Sequence, residues 1–291
     1  MTGLMEKTLY QDKALEAAQT IQAKLPKGFA PKVGLILGSG LGAQADSIEQ
    51  VACFDYKELP GFFVSTVEGH AGQLVLGYLQ GVSVVCMKGR VHLYEGASFE
   101  QMRTPVRTMK RLGVENLLIT NAAGVLNTSI SPGSVVLVKD QINFTGVNVL
   151  VGPNNSEYGP RFSGMEEAFS PILNQLFHKA AKKHGINLPE AVYCGVMDPT
   201  YETPAEIQVY KQLGGGLVGM STVHEVMVAR HCGIRVAALS AVSNYAAGLS
   251  PQKVNHEEVL IFSHQAAANM TKLLLEVLSE LKQNFKRTIV Q

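Results

Sequence analysis

Apolar and polar positions along the chain switch between two periods, and the switches lay out strands and helices in turn. Residues 33–37, 117–124, 135–138, 191–196, 217–220 and 234–242 form short runs that are largely apolar on both faces. That pattern predicts buried strands covered by helices. Between 64 and 90 the pattern alternates at Leu74, Leu76 and Tyr78, turns at Gln80-Gly81 and returns from 82 to 87, which predicts a hairpin. Stripes at helical spacing predict helices over 12–25 and 165–184, the second stopped by Gly185, and one that ends at Gly113. The start of that last helix is open between Ser98 with Gln101 and Thr104-Pro105. Thr203, Pro204 and Glu206 start another helix, Thr222 and Glu225 have the spacing of a capping box with Gly233 as the stop, and Asn255 caps a long C-terminal helix.

Strands that alternate with helices in this way give an α/β class, with a central mixed β-sheet flanked by helices. Length allows two domains, but no linker interrupts the pattern, so residues 1–291 are read as a single domain. Repeats and low-complexity segments are absent from the sequence. The formal net charge of +1, without a long basic run, implies neither nucleic acid nor an anionic membrane as a partner. A small neutral or anionic ligand is expected instead. Cys53, Cys86, Cys194 and Cys232 are far apart and form no C-x-x-C pair, which argues against a zinc site or a disulfide framework. No basic start leads into an apolar segment, and no run approaches the roughly 18 apolar residues of a membrane span. A cytoplasmic, metal-free protein is the expectation.

In open α/β sheets ligands bind beyond the carboxyl ends of strands, and the chemistry-bearing residues cluster there. The first strand runs into Gly38-Ser39-Gly40-Leu41-Gly42, a turn that offers backbone N–H groups and a hydroxyl to phosphate but equally serves close packing. It lacks the lysine of a Walker loop and does not complete G-x-G-x-x-G. His70 precedes the hairpin, and Arg90, His92 and Tyr94 follow it. A guanidinium fork suits an oxyanion, although Arg90 could equally pair with Glu68 or Glu95. Ala122 lies among small residues that let backbone amides approach a ligand. Glu202 sits just outside the Thr203 cap and is not needed for it, so it reads as ligand-facing or as a solvated loop glutamate. Met220, Ser221 and Asn244 arrive at the same edge. The long segment from 144 to 162, rich in Gly, Asn and Pro, reads as functional or as an interface.

The runs LILGSGLG, EGHAGQL, KGRVHLYEG, TNAAG, GPNNSEYGPRF, YETPAE, GMSTVHEVMVARHCG and NHEEV fall in one order over nearly the whole chain. In these the chain resembles the trimeric, low-molecular-mass purine nucleoside phosphorylases. The resemblance implies that family's fold and a metal-free, cofactor-free pentosyl transfer with inorganic phosphate as co-substrate. It implies phosphate held by Ser39, His70, Arg90, His92, Ser221 and the backbone of Ala122. It implies nucleoside held by Tyr94, Tyr201, Glu202, Met220, Asn244 and His256, with Asn244, Glu202 and His92 at the chemistry. Phe162 would cover the sugar of a neighbouring subunit in a homotrimer. The expected reaction turns inosine or guanosine, with xanthosine left open, into free base and ribose 1-phosphate in purine salvage. A methylthioadenosine phosphorylase, a hydrolase and a nucleoside-binding protein without turnover are the alternatives. Tyr201, where a phenylalanine is usual, Asp198, where glycine is common, His224, where proline often follows STV, and Gln141, where the family commonly has DHIN, depart from the family pattern.

Overall fold

The computed structural model describes residues 11–38, 41–67, 71–251 and 256–289. The described chain runs α1 (Lys13–Gln22), β1 (Val33–Leu37), β2 (Glu49–Asp55), β3 (Gln73–Leu79), β4 (Val82–Lys88), α2 (Phe99–Leu112), β5 (Asn116–Val125), β6 (Val135–Asn143), α3 (Pro171–His184), β7 (Glu190–Gly195), α4 (Pro204–Gln212), β8 (Leu217–Gly219), α5 (Val223–His231), β9 (Arg235–Tyr245) and α6 (His256–Ile289).

All nine strands join one mixed sheet, in the order β2-β3-β4-β1-β5-β8-β7-β6-β9. A further pairing of β9 with β5 closes the last five strands on themselves. That pairing is parallel and long, running from Asn116 opposite Arg235 to Val125 opposite Tyr245. Its register shifts between Ala123 and Gly124, where Ser243 is the extra residue of a bulge in β9. The inner strands are apolar on both faces because both are covered. On one side Ile36, Val85, Leu117 and Val236 meet α1, α2 and α5 through Ala18, Val106 and Val226. On the other side Leu35, Leu118 and Leu239 meet α3 and α6 through Phe177, Met270 and Leu273.

Local signals place many element ends. Ser98 and Gln101 form the capping box of α2, which settles the open choice and leaves Pro105 inside the helix. Thr203 and Glu206 form that of α4. Gln80 at φ 53° and Gly81 at φ 68° make the two-residue turn whose twist matches the strands it joins. Other boundaries differ from those expected. Helix α1 stops at Gln22 instead of 25, and α3 starts at Pro171 with Ser170 as cap, six residues later than the apolar stripe suggests. Phe169 is buried, but by a loop and not by a helix. Strand β2 is a further difference: it is half exposed at the open edge of the sheet, where one face has no core to meet and the apolar pattern is weak.

The segment from 144 to 170 forms neither helix nor strand, yet it is tied down along its length. Arg103 Nη1 donates to the Val149 carbonyl at 2.7 Å. The Tyr158 hydroxyl donates to Asp12 at 2.8 Å, and the guanidinium groups of Arg107 and Arg111 both lie over its ring. Arg111 also pairs with Glu157, and His231 Nε2 meets Asn154 Oδ1 at 3.0 Å.

Candidate active site

Strands β5, β8 and β9 and the loops after β4 and β7 end around one cleft of about 130 Å³. It brings together Arg90, His92, Tyr94, Ala122, Tyr201, Glu202, Met220, Ser221 and Asn244. Ser39, His70 and the side chain of His256 lie outside the described residues, as does the proposed cap at Asn255. Phe162 is elsewhere. It is 89% exposed and lines a separate cavity of about 560 Å³ with Gln141, Arg161 and Met227.

At one end of the cleft lies a buried cation. The Tyr56 hydroxyl donates to the Gly89 carbonyl at 2.7 Å and so fixes the turn from which Arg90 projects. The Arg90 side chain is 2% exposed, with Nε 3.0 Å from Glu225 Oε1, while Nη1 donates to Ser221 Oγ at 3.1 Å. Its carboxylate partner among the described residues is therefore Glu225 of α5 and not Glu95, while Glu68 lies outside the described residues.

That arrangement corrects the helix start expected from Thr222 and Glu225. Thr222 has φ 70° and ψ −52°, its side chain caps nothing, and Val223 N donates to the Ser221 carbonyl at 2.8 Å. This is a γ-turn with positive φ at its centre, a rare and strained form, and more so for a β-branched residue. Strain of this kind costs on the order of 1–3 kcal/mol and persists only where its surroundings enforce it. Here Asn121 Nδ2 donates to Thr222 Oγ1 at 2.8 Å, and the hydroxyls of Ser221 and Thr222 are 3.0 Å apart. The turn presents Ser221 to the cleft and releases Glu225 from capping to meet Arg90.

His92 is fixed from behind. Its ring stacks on Tyr94 with centroids 4.8 Å apart, and Nδ1 lies 3.1 Å from Glu95 Oε1. A carboxylate only accepts, so Nδ1 carries the proton in that contact and the ring is held in one orientation. Glu95 also accepts from Ser65 Oγ at 3.0 Å and from Thr66 N at 2.7 Å, which ties in the segment whose Val67 lines the cleft. Burial raises the Glu95 carboxyl, but the donors of His92, Thr66 and Ser65 outweigh it and hold the group at about 2.

The other end of the cleft carries an amide and a carboxyl. Asn244 Nδ2 donates to the Tyr245 carbonyl at 2.9 Å, and Ser243 Oγ donates to Asn244 Oδ1 at 2.7 Å. The Tyr245 carbonyl cannot donate, so it dictates which end of the amide faces it and, among the described residues, leaves one Asn244 N–H without an acceptor. Glu202 takes no part in the neighbouring capping box, in which Thr203 N donates to Glu206 at 2.7 Å. Burial raises its carboxyl above the usual range, and Glu206 adds to the rise. Tyr201 is half exposed beside it, and burial followed by the Glu202 charge raises its phenol. Among the departures from the family pattern, His224 is buried and brought down to about 4 by that burial, while Asp198 is exposed.

Sequence patterns alone did not single out Glu225, Ser243, Gly124 or Val259 at this place. A buried arginine demands a carboxylate, and that demand was the available signal for Glu225. Ser243 follows the opposite face from Asn244 in a regular strand, and only the bulge turns both neighbours to the cleft.

A sequence model of the phosphorylase superfamily matches residues 32–279. The purine nucleoside phosphorylase 1 of Bacillus subtilis is 48% identical over 270 residues, covering 93% of this chain and 99% of the relative. The chain belongs to the purine nucleoside phosphorylases. Solved structures of this family overlay on it closely. Purine nucleoside phosphorylase isoform 2 of Schistosoma mansoni, in complex with cytosine and ribose-1-phosphate, gives a TM-score of 0.88 at 41% identity, over 93% of this chain and 97% of that one. A purine nucleoside phosphorylase of the same organism in complex with inosine gives 0.86 at 38% identity, over 92% and 96%. As a purine nucleoside phosphorylase the chain is an enzyme, a pentosyltransferase.

The Glu95 contacts give the first prediction. A carboxylate lowered from 4.5 to about 2 stabilises the fold fully above the unfolded value and loses that contribution as pH falls through the folded one. Glu95→Gln is expected to lower unfolding free energy at neutral pH by about 1–3 kcal/mol. Denaturant titration from pH 7 to pH 2 should show the gap closing between about 4.5 and about 2.

Proposed function

We propose that the enzyme cleaves 6-oxopurine nucleosides, inosine and guanosine foremost, with inorganic phosphate, giving the free base and ribose 1-phosphate. The observation that carries this reading is one cleft with a buried guanidinium and a serine at one end, and a carboxyl and a single amide N–H at the other. The inosine and ribose-1-phosphate complexes of the Schistosoma mansoni relatives support it. A phosphate oxygen attacks C1′ as the bond to N9 breaks. The bonding pair leaves with the purine, and the sugar passes through an oxocarbenium-like state. Arg90, His92 and Ser221 hold the attacking anion, with Ser39, His70 and the Ala122 backbone assigned beside them from the family pattern. Tyr94, Met220 and His256 hold the ribose, and Tyr201 gives the base an aromatic face. Glu202 accepts from N1–H, and the spare Asn244 N–H meets N7 or O6 as negative charge gathers there. The chemistry as written uses no metal and no organic cofactor. A role in purine salvage in the cytoplasm is the setting proposed for it. Among the described residues no helix is long and apolar enough to cross a membrane.

Cleavage of inosine is expected to stop when phosphate and arsenate are withheld. Turnover at the same rate in their absence would make the enzyme a hydrolase. A chain that binds inosine and never turns it over would be a binding protein.

Selectivity follows from donors and acceptors. Adenine presents a bare N1 to Glu202 and an amino group at C6, which inverts the match, and sites built on buried hydrogen bonds reject such analogues by about 10⁴–10⁵. Asn244→Asp replaces a donor by an acceptor. Inosine kcat/KM is expected to fall and adenosine kcat/KM to rise, and an unchanged ratio would show that Asn244 does not touch the six-position.

A homotrimer is proposed because Phe162 is almost wholly exposed in this chain, and the family pattern assigns it to cover the sugar of a neighbouring subunit. Phe162→Ala is expected to raise the nucleoside KM several-fold and leave the phosphate KM nearly unchanged. Light scattering that shows a fully active monomer would remove the proposal.

A further inference from the structure

Arg90 is aimed from two sides, and both anchors belong to one short stretch of chain. Ser221 precedes the strained turn at Thr222, Glu225 lies in the first turn of α5, and Asn121 pins the turn between them. The carboxylate lies 3.0 Å from Nε as an ion pair while Nη1 donates to the hydroxyl at 3.1 Å, so the guanidinium is held by a charge and a hydrogen bond from the same stretch. The Glu225 side chain is 9% exposed and brings a full negative charge beside a cation that is itself 2% exposed. Charges held this far from water act on each other strongly. An anion that enters the cleft therefore meets an arginine already partly neutralised.

We infer that Glu225 is a positioning residue with a second effect: it aims Arg90 at the incoming anion and, by its charge, keeps the anion end from holding phosphate and ribose 1-phosphate too tightly for turnover. This rests on the reading of the Arg90 end as the phosphate subsite. Both effects come from the same carboxyl group but from different properties of it, since aim needs an acceptor at Oε1 and moderation needs the charge. A neutral amide separates them. Among the described residues Glu225 Oε2 has no hydrogen-bond donor, and Glu225 borders a cavity of about 10 Å³ with Gln101 and Met102, so glutamine fits in its place.

The test compares wild type, Glu225→Gln, Glu225→Asp and Glu225→Ala, reading inosine KM, phosphate KM and kcat, with calorimetry of inorganic phosphate on the ligand-free enzyme. Glu225→Gln keeps the acceptor and drops the charge. Its phosphate KM and Kd are expected to fall by about tenfold, since a unit charge a few ångströms away carries at least that much even in a polar interior. Its kcat should drop with them as release of the charged product slows. Glu225→Asp keeps the charge one methylene short of Arg90, so phosphate KM should rise by about tenfold or more as the guanidinium loses its aim. Glu225→Ala should behave likewise if it folds, and the Gln and Asp variants decide the matter if it does not. Inosine KM should stay within about twofold in all, because the base end of the cleft is built from other elements. Phosphate KM rising in Glu225→Gln as it does in Glu225→Asp, or changing in neither, would overturn the inference while the phosphate subsite stands. A wild-type enzyme that binds no phosphate in calorimetry would instead overturn the subsite reading, and the inference with it.

Discussion

The parallel pairing of β5 with β9 is the constraint on which the rest of the molecule depends. It closes five strands into a ring and sets Asn121 opposite Ser240, Ala122 opposite Ala241 and Gly124 opposite Asn244. Strands β5, β8 and β9 then supply the cleft near their carboxyl ends. Parallel pairs need a crossover, and the long connections between β5 and β9 hold everything from β6 to α5. The strained turn at Thr222 is legible in these terms: it lies on that crossover, directly above β5, where the Asn121 amide holds it. At the bulge the close approach of the two strands leaves little room. A Cβ on Gly124 would come within 3.1 Å of Asn244 Nδ2, so a larger residue there would push the amide from its place.

The two ends of the cleft are built on different principles. The anion end is crowded with groups that fix one another: Glu225 and Ser221 on Arg90, Glu95 and Tyr94 on His92. Reorganisation there would break several charged hydrogen bonds at once, which is the sense in which such a site is prepared before the substrate arrives. The base end is looser. Glu202 and Tyr201 come from an irregular loop after β7, with the rigid α4 cap just behind them. A family can then vary its base preference through that loop while its phosphate chemistry stays as it is.

Much of this was readable from the residues because the signals were local. Capping boxes at Ser98 and Thr203, the Gln80-Gly81 turn and the doubly apolar strands each depend on neighbours within four positions. The ordered motifs also led to nine of the cleft residues. What could not be read was non-local. The spacing of Thr222 and Glu225 is that of a capping box, but a buried arginine from a distant loop claims the acid. Closure of the sheet and the extra residue at Ser243 arise from register between strands over a hundred residues apart, which no window along the chain contains.

Helix α6 runs 34 residues from His256 to the far side of the sheet, where Lys282 Nζ donates to the Gln80 carbonyl at 3.0 Å. Its deepest anchors, Ala266, Met270, Leu273, Val277 and Leu278, all lie beyond Val259, the residue by which it touches the cleft. A helix gives way first at its ends, where backbone groups lack partners in the preceding turn. The wall that α6 lends to the cleft at Val259 thus lies close to the helix start, and amide exchange is expected to be faster there than over the sheet. Loss of the helix's start would take from the cleft only the Val259 wall among the described residues, with the nine-stranded sheet left in place.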